Sequence, residues 1–193
     1  MARIGVHALP FAVVLAVAAA ANTSRGAPAP EFSLRGLNGR TLTLSSLRGK
    51  VVLLDFWASW CAPCVAGLPR LLALESRLRG QGFVIVSVAL DNADSTNKNP
   101  EGKLRRFIAA HRVDFAVTEI TPSFSREYGK VLGLKGGIVA NGLVAANLPS
   151  WILIDRYGAI RAIHKSSEEE PKVLIEAEQL AREPLTGGAP HVR

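Results

Sequence analysis

Two runs of apolar residues separated by an amphipathic segment place the strongest constraint on the fold. The first run, Lys50 to Trp57, is almost continuously apolar, which is typical of a strand buried on both faces. From Cys61 to about Arg79 the apolar residues recur with helical spacing, and Phe83 to Leu90 forms a second apolar run. A strand, a helix and a strand in immediate succession predict a parallel βαβ unit and therefore an α/β fold.

Further elements are predicted on both sides of this unit. Two short alternating segments around Gly36 to Gly39 favour a β-hairpin before it. After it, the predicted helices are Pro100–His111, Ser123–Leu132 and Glu168–Arg182, and the predicted strands are Phe115–Val117, Ser150–Asp155 and Ala159–His164. We therefore expect one domain from residue 30 to residue 183 and a flexible tail over residues 184–193.

The N-terminal segment has the composition of a targeting signal. Leu9 to Ala21 is apolar, follows a short positively charged start, and ends in small residues that would allow cleavage before Asn22. Residues 1–21 are predicted to be a secretory signal peptide or, if the uncharged stretch 4–24 is retained, a single membrane anchor, since about 20 apolar residues span a bilayer. Residues 22–29 are predicted to be a spacer. Both alternatives predict a periplasmic or otherwise extracytoplasmic domain.

The charge and the cysteine content exclude several classes of function. Lys and Arg total 23 and Asp and Glu total 16, and the resulting net charge of +7 is spread along the chain. Because no basic run is present, we expect no nucleic-acid partner. The chain has only two cysteines, Cys61 and Cys64, so neither a disulfide-stapled scaffold nor a four-cysteine zinc site can form. We predict no metal ion and no cofactor.

The spacing of the two cysteines predicts thiol–disulfide exchange. Cys61 opens a helix, where unpaired backbone N–H groups and the helix dipole stabilise an anion and lower the pKa of the thiol. Cys64 lies almost one helical turn later on the same face, so it can attack a mixed disulfide formed at Cys61. Two other interpretations are half of a zinc site, whose further ligands would come from scattered histidines, and an inert pair of buried thiols.

The residues around this pair resemble a known family. Asp55 to Cys64, which reads DFWASWCAPC, resembles the active-site signature of the thioredoxin superfamily. The preceding residues, from Pro30 to Val52, start with Pro-x-Phe-x-Leu, end with Gly-Lys-Val-Val and are similar to the TlpA-like exported thiol–disulfide oxidoreductases. The resemblance covers about Pro30 to Arg182. It implies a thioredoxin fold, with a central mixed β-sheet flanked by helices and an N-terminal β-hairpin extension.

The resemblance also implies which residues form the site. Pro149 takes the place of a cis-proline that faces the cysteines and shapes the groove for the extended chain of a partner. The residues themselves indicate only that Pro149 begins a strand, so a trans turn proline is the alternative. The expected groove residues are Trp60, Ala62, Pro63 and Leu148. All three tryptophans are expected to surround the site.

The chain departs from the family pattern at three places. Exported members often carry a glutamate three residues after the second cysteine, where this chain has Gly67. They often have asparagine in place of Asp55. Because burial raises the pKa of a carboxyl group, we predict that Asp55 is the general acid or base for Cys64, and the alternative is a structural aspartate bonded to the backbone. The segment Gly133 to Asn147 is longer than in the family and would be either surface elaboration or an apolar wall that selects a partner or touches the membrane.

We interpret the chain as an exported protein thiol–disulfide oxidoreductase. Its partners would be a protein disulfide substrate and a membrane electron donor, and the resemblance suggests apocytochrome c haem-site cysteines or a copper-site assembly protein as the substrate. The alternatives are a disulfide-forming oxidase, a peroxiredoxin-like peroxidase, and a copper-binding or redox-inert chaperone on the same fold. Such peroxidases have threonine where this chain has Ala58, and such copper carriers have wider cysteine spacing and a histidine that is missing before Pro149.

Overall fold

The computed structural model describes residues 26–93, 98–140, 143–144 and 146–184. The predicted signal or anchor over residues 1–21 lies outside these ranges, as do residues 22–25 of the predicted spacer and residues 185–193 of the predicted tail. Within the described ranges, no helix is long and apolar enough to cross a membrane.

The described residues form strands, α-helices and short 3₁₀ turns in alternation. The strands are β1 (Ser33–Arg35), β2 (Thr41–Thr43), β3 (Val51–Trp57), β4 (Phe83–Ala89), β5 (Ala116–Glu119), β6 (Val139–Ala140), β7 (Leu143–Val144), β8 (Ser150–Ile154) and β9 (Ile160–His164). The α-helices are α1 (Ala62–Leu78), α2 (Pro100–His111), α3 (Pro122–Val131) and α4 (Glu170–Arg182), and the 3₁₀ turns are Ser45–Leu47, Asp91–Ala93 and Ser167–Glu169.

A five-stranded mixed sheet with the order β5-β4-β3-β8-β9 forms the centre of the fold. Strand β3 pairs in parallel with β4, and β4 pairs in parallel with β5. On its other side β3 pairs antiparallel with β8, which pairs antiparallel with β9. Since α1 connects the neighbouring parallel strands β3 and β4, the predicted βαβ unit is confirmed, and so is the predicted mixed sheet flanked by helices.

Every residue of β3 is buried, because the strand is central and covered on both faces. The ring of Phe56 lies 6.0 Å from the ring of Phe124 and 6.4 Å from that of Tyr128, so this side of the strand packs against α3. Successive side chains of a strand point to opposite faces. Asp55 therefore faces the other layer, where α1 and α4 contact each other and α4 contacts β3 and β8.

The predicted N-terminal hairpin is present as the antiparallel pair β1 and β2. The backbone N–H of Leu37 donates to the carbonyl oxygen of Val117 at 2.9 Å, which attaches the hairpin to β5. The residues just before the hairpin run along the opposite edge of the sheet, where Ala29 N–H donates to Gly158 O at 2.9 Å and Ile160 N–H donates to Ala27 O at 2.8 Å. The N-terminal segment is thus held at both edges of the sheet.

The first part of the segment 133–147 packs against α3. A Cβ atom on Gly129 would lie 2.4 Å from the Cα of Gly137, so this close approach needs glycine at position 129. Ile138 is fully buried, and its N–H donates to Ser125 O at 3.0 Å. Strands β6 and β7 then form a two-stranded hairpin. A role in partner selection or membrane contact stays a prediction, and residues 141, 142 and 145 lie outside the described ranges.

Candidate active site

The two cysteines form a disulfide at the start of α1. Cys61 is the N-cap residue, Cys64 lies in the first turn, and the two sulfurs are 2.07 Å apart. The backbone N–H of Cys64 donates to Cys61 Sγ at 3.3 Å, so an otherwise unpaired donor of the helix N-terminus already points at this sulfur. Each cysteine is 6% exposed. This position stabilises a thiolate on Cys61 once the bond is reduced.

A buried carboxylate holds the turn between β3 and Cys61. Asp91 follows β4 and is fully buried. Its Oδ2 accepts a hydrogen bond from Ser59 N–H at 3.1 Å, and its Oδ1 accepts one from the Ser59 hydroxyl. These contacts tie the turn to the end of the neighbouring strand. Sequence reasoning missed Asp91, although an acidic residue directly after a buried strand was an available signal.

Exposed side chains surround the disulfide. Trp60 is 50% exposed, and Ala62 and Pro63 are exposed as well. Leu148 is half-buried, and its peptide bond to the buried Pro149 is cis, as the resemblance implies. Because Pro149 lines the same small cavity as Pro63 and Cys64, the structure brings the predicted cis-proline segment to the cysteines.

That cavity, which we call the Cys64 cavity, lies behind the disulfide. Its water-accessible volume is about 10 Å³, which is room for about one water molecule. The cavity is lined by Asp55, Trp57, Pro63, Cys64, Gly67, Leu68, Leu71, Pro149, Trp151, Ser167 and Glu170. The predicted residues Asp55, Cys64 and Pro149 therefore meet at one place. Two of the three tryptophans line the cavity, while the third is exposed beside Cys61.

Burial gives Asp55 an unusual acidity. It lies opposite Ser87 on β4 and Trp151 on β8, and it is 3% exposed. Desolvation raises the pKa of Asp55 to about 7, and the negative charge of Glu170 adds to this rise. The Ser87 hydroxyl, which donates to Asp55 Oδ2 at 3.2 Å, opposes it. The nearby Trp151 indole also lowers the pKa of Asp55. Its Nε1 makes no hydrogen bond of normal geometry within the described structure, so it acts as a polar contact.

The predicted rise in the pKa of Asp55 is therefore confirmed, and its role as acid or base stays a proposal. A carboxyl group that titrates near neutral pH can both accept and return a proton under ordinary conditions.

A second carboxylate at the cavity was not predicted. Glu170, the first residue of α4, is 4% exposed. Its Oε2 accepts two hydrogen bonds from Arg70 of α1, one from Nε at 3.0 Å and one from Nη2. Its Oε1 lies 2.8 Å from the position that a Cβ atom on Gly67 would take. The carboxylate thus fills the space that the missing side chain leaves open, and the glycine inside the helix was the one signal for it in the sequence.

This arrangement is suited to a two-thiol exchange. One sulfur lies at a helix N-terminus beside exposed side chains, and the other faces a buried cavity with titratable carboxyl groups. The first can form a mixed disulfide with a bulky partner, and the second can transfer its proton to a group inside the cavity.

Known proteins are similar to this chain in sequence and in fold. The sequence pattern of the Redoxin family matches residues 24–180. The chain is 27% identical to the thioredoxin-like protein YneN of Bacillus subtilis over 72% of this chain and 70% of that protein. It is 30% identical to the thiol-disulfide oxidoreductase ResA of Halalkalibacterium halodurans over 77% of this chain and 72% of that protein.

A solved structure of a thiol:disulfide interchange protein has the same fold as this chain. A thiol:disulfide interchange protein, DsbE, from Chlorobium tepidum matches the fold with a TM-score of 0.60 and 29% identity, covering 81% of this chain and 96% of that one. The Redoxin match covers most of the chain and includes both cysteines, the central sheet and the cis-proline segment. The chain therefore belongs to the Redoxin family and is a thiol–disulfide oxidoreductase of the thioredoxin superfamily.

Proposed function

We propose that the protein is an exported reductant of disulfides in partner proteins. The observation that carries this proposal is the placement of the disulfide. Cys61 lies at the N-terminus of α1 beside the exposed residues Trp60, Ala62 and Pro63, while Cys64 faces the cavity behind it. An extended partner chain can approach the first sulfur, and the second is kept for the intramolecular step.

The reaction has two exchange steps. The Cys61 thiolate attacks one sulfur of the partner disulfide, a mixed disulfide forms, and the other partner sulfur leaves as a thiolate that takes a proton. Cys64 then loses its proton, its sulfur attacks Cys61 Sγ, and the second partner sulfur leaves. Two electrons pass to the partner, and the enzyme returns to the disulfide form. In this scheme Asp55 accepts the proton of Cys64, and Pro149 with Leu148 forms one wall of the groove.

The N-terminal segment and the family support our proposal for the location of the domain and its partners. A secretory signal or single membrane anchor over residues 1–21 would place the domain in an oxidising compartment, where its disulfide must be reduced again from a membrane electron donor. The name of ResA describes a thiol-disulfide oxidoreductase, and that of DsbE a thiol:disulfide interchange protein. We extend this to haem-site cysteines of apocytochrome c, or to a copper-site assembly protein, as the substrate class.

The reduction potential of the Cys61–Cys64 couple tests the direction of electron flow. The purified protein is equilibrated against glutathione or dithiothreitol, with Cys64→Ser as the control that cannot close the disulfide. A potential near that of thioredoxin, about −270 mV, is expected for a reductant. A value near about −120 mV would instead identify an oxidase. If no reversible disulfide forms, neither direction of exchange is tenable.

A further inference from the structure

The Cys64 cavity contains a carboxylate oxygen that the proposed exchange reaction leaves without a role. Glu170 is 4% exposed, and its two oxygens differ in their surroundings. Oε2 accepts from Arg70, whereas Oε1 is buried and has no hydrogen-bond partner within the described part of the chain. A buried oxygen without a donor costs about 1 to 3 kcal/mol, so a structural ion pair alone does not explain this geometry.

The free oxygen is directed toward the reacting end of α1. It lies 2.8 Å from where a Cβ on Gly67 would be, and Gly67 follows Cys64 by three residues on the same face of the helix. Glu170, Cys64 and Asp55 all line the cavity, which has room for about one water molecule. A proton can therefore pass between these groups within one small cavity.

In the part of the chain that the structure describes, few charged groups lie at this cavity. Asp55 comes from β3, Cys64 and Arg70 come from α1, and Glu170 comes from α4. The remaining lining residues, which are Trp57, Pro63, Gly67, Leu68, Leu71, Pro149, Trp151 and Ser167, carry no group that titrates near neutral pH. Among the described residues, Arg70 is the cation paired with these carboxyl groups, and its side chain is exposed, so the two carboxyl groups are difficult to ionise together.

We propose that Glu170 and Asp55 form a coupled carboxyl pair that retains one proton near neutral pH, and that Glu170 thereby sets the pH at which Cys64 can be deprotonated. This inference rests on the proposed two-thiol exchange. In it Glu170 is a positioning residue that acts through Asp55.

The proton balance of the resolving step follows from this arrangement. In the mixed disulfide, the pair first releases its retained proton to solvent and then accepts the proton of the Cys64 thiol, so that it again holds one proton on its two carboxyl groups. The Cys64 sulfur attacks Cys61 Sγ, the Cys61–Cys64 bond forms, and the bond from Cys61 to the partner sulfur breaks. The partner sulfur leaves as a thiolate and takes a proton from solvent. The pair thereby ends the step with one proton, as it began.

The first test is a titration of the disulfide form, which needs no substrate. The carboxyl carbon of Asp55 is followed by carbon-13 NMR across pH and is assigned with Asp55→Asn. Glu170→Gln removes a neighbouring negative charge and should lower the apparent pKa of Asp55 by about one pKa unit. Arg70→Gln removes the cation and should raise the upper apparent pKa of the pair. Glu168→Gln, an equal charge change at an exposed residue of the same turn, should leave it unchanged.

Glu170→Gln and Arg70→Gln remove opposite charges, so opposite shifts show that both groups act on Asp55 through their charge and not through a common disturbance of the structure. An unchanged Asp55 titration in Glu170→Gln, or an equal shift in Glu168→Gln, overturns the proposal. If Glu170→Gln does not fold, the upward shift in Arg70→Gln decides, and its absence also overturns the proposal.

The second test separates this inference from the proposed function. The reduced protein is mixed with an excess of a small chromogenic aromatic disulfide, which gives one thiolate release from attack by Cys61 and a second from resolution by Cys64. Glu170→Gln should move the pH midpoint of the second phase by the shift seen for Asp55 and leave that of the first phase in place. Two normal phases with an unmoved second midpoint overturn the inference alone. If the unaltered protein shows no second phase, the two-thiol function fails, and this inference fails with it.

Discussion

Replacement of Asp55 by asparagine should stabilise the oxidised protein at alkaline pH but not at acid pH. Burial raises the pKa of Asp55 from its ordinary value of 3.8 to about 7, so the folded protein holds a proton that the unfolded chain releases above about pH 4. The difference of about three pKa units, at about 1.4 kcal/mol per unit, corresponds to about 4 kcal/mol. This contribution to stability is fully present below pH 4, falls as the pH rises toward 7, and is absent above it.

Asparagine does not ionise, so the difference in unfolding free energy between Asp55→Asn and the unaltered protein isolates this contribution. Relative to the unaltered protein, the unfolding free energy of the variant should rise by about 4 kcal/mol between pH 4 and pH 8. The slope should be about 1.4 kcal/mol per pH unit between the two pKa values of Asp55. Urea unfolding of both disulfide-bonded proteins at each pH measures it, because ionisations that do not interact with Asp55 cancel in the difference. A difference that stays constant over this range would refute the reasoning, since Asp55 would then keep its ordinary pKa in the folded protein.

Three further substitutions test the site. Cys64→Ser should accumulate a mixed disulfide between Cys61 and a partner protein, seen on a non-reducing gel, and trapping by Cys61→Ser instead would reverse the assigned roles. Trp60→Ala should raise the KM for a protein disulfide severalfold without changing the melting temperature, because the side chain is 50% exposed; an unchanged KM would remove it from the groove. Asp91→Asn should lower the unfolding free energy by about 1 to 3 kcal/mol in urea, since Ser59 loses a charged acceptor, and no loss would mean that these bonds contribute little.

The central strands could be predicted because their patterns are local. A strand covered on both faces must be continuously apolar, and Val51–Trp57 differs from the prediction by one residue. The last helix differs more, since it begins at Glu170 after a 3₁₀ turn and not at Glu168. Pro171 explains the shift, because proline is favoured in the first turn of a helix, where its missing N–H is not needed.

Within the site, the residues alone predict what is close along the chain, the family resemblance adds Pro149, and neither predicts Glu170. The spacing of Cys61 and Cys64 on a helix and the burial of Asp55 in β3 are both readable from neighbouring residues. Glu170 is separated from its partner Arg70 by 100 residues and ends a run of three glutamates that is typical of a solvated helix start. Only the packing of α4 against α1 and β3 buries the third of them.

Two features that look unfavourable by themselves have one explanation at the Cys64 cavity. A glycine inside a helix is less stable than alanine by about 1 kcal/mol, and a buried carboxylate oxygen without a donor is unfavourable as well. An alanine at Gly67 would place its Cβ 2.8 Å from Glu170 Oε1 and displace the carboxylate. The carboxylate can therefore occupy this position only because residue 67 is glycine. Their combination keeps a second carboxyl group, from α4, at the cavity that Cys64 and Asp55 line, where its charge can act on the proton acceptor of the resolving step.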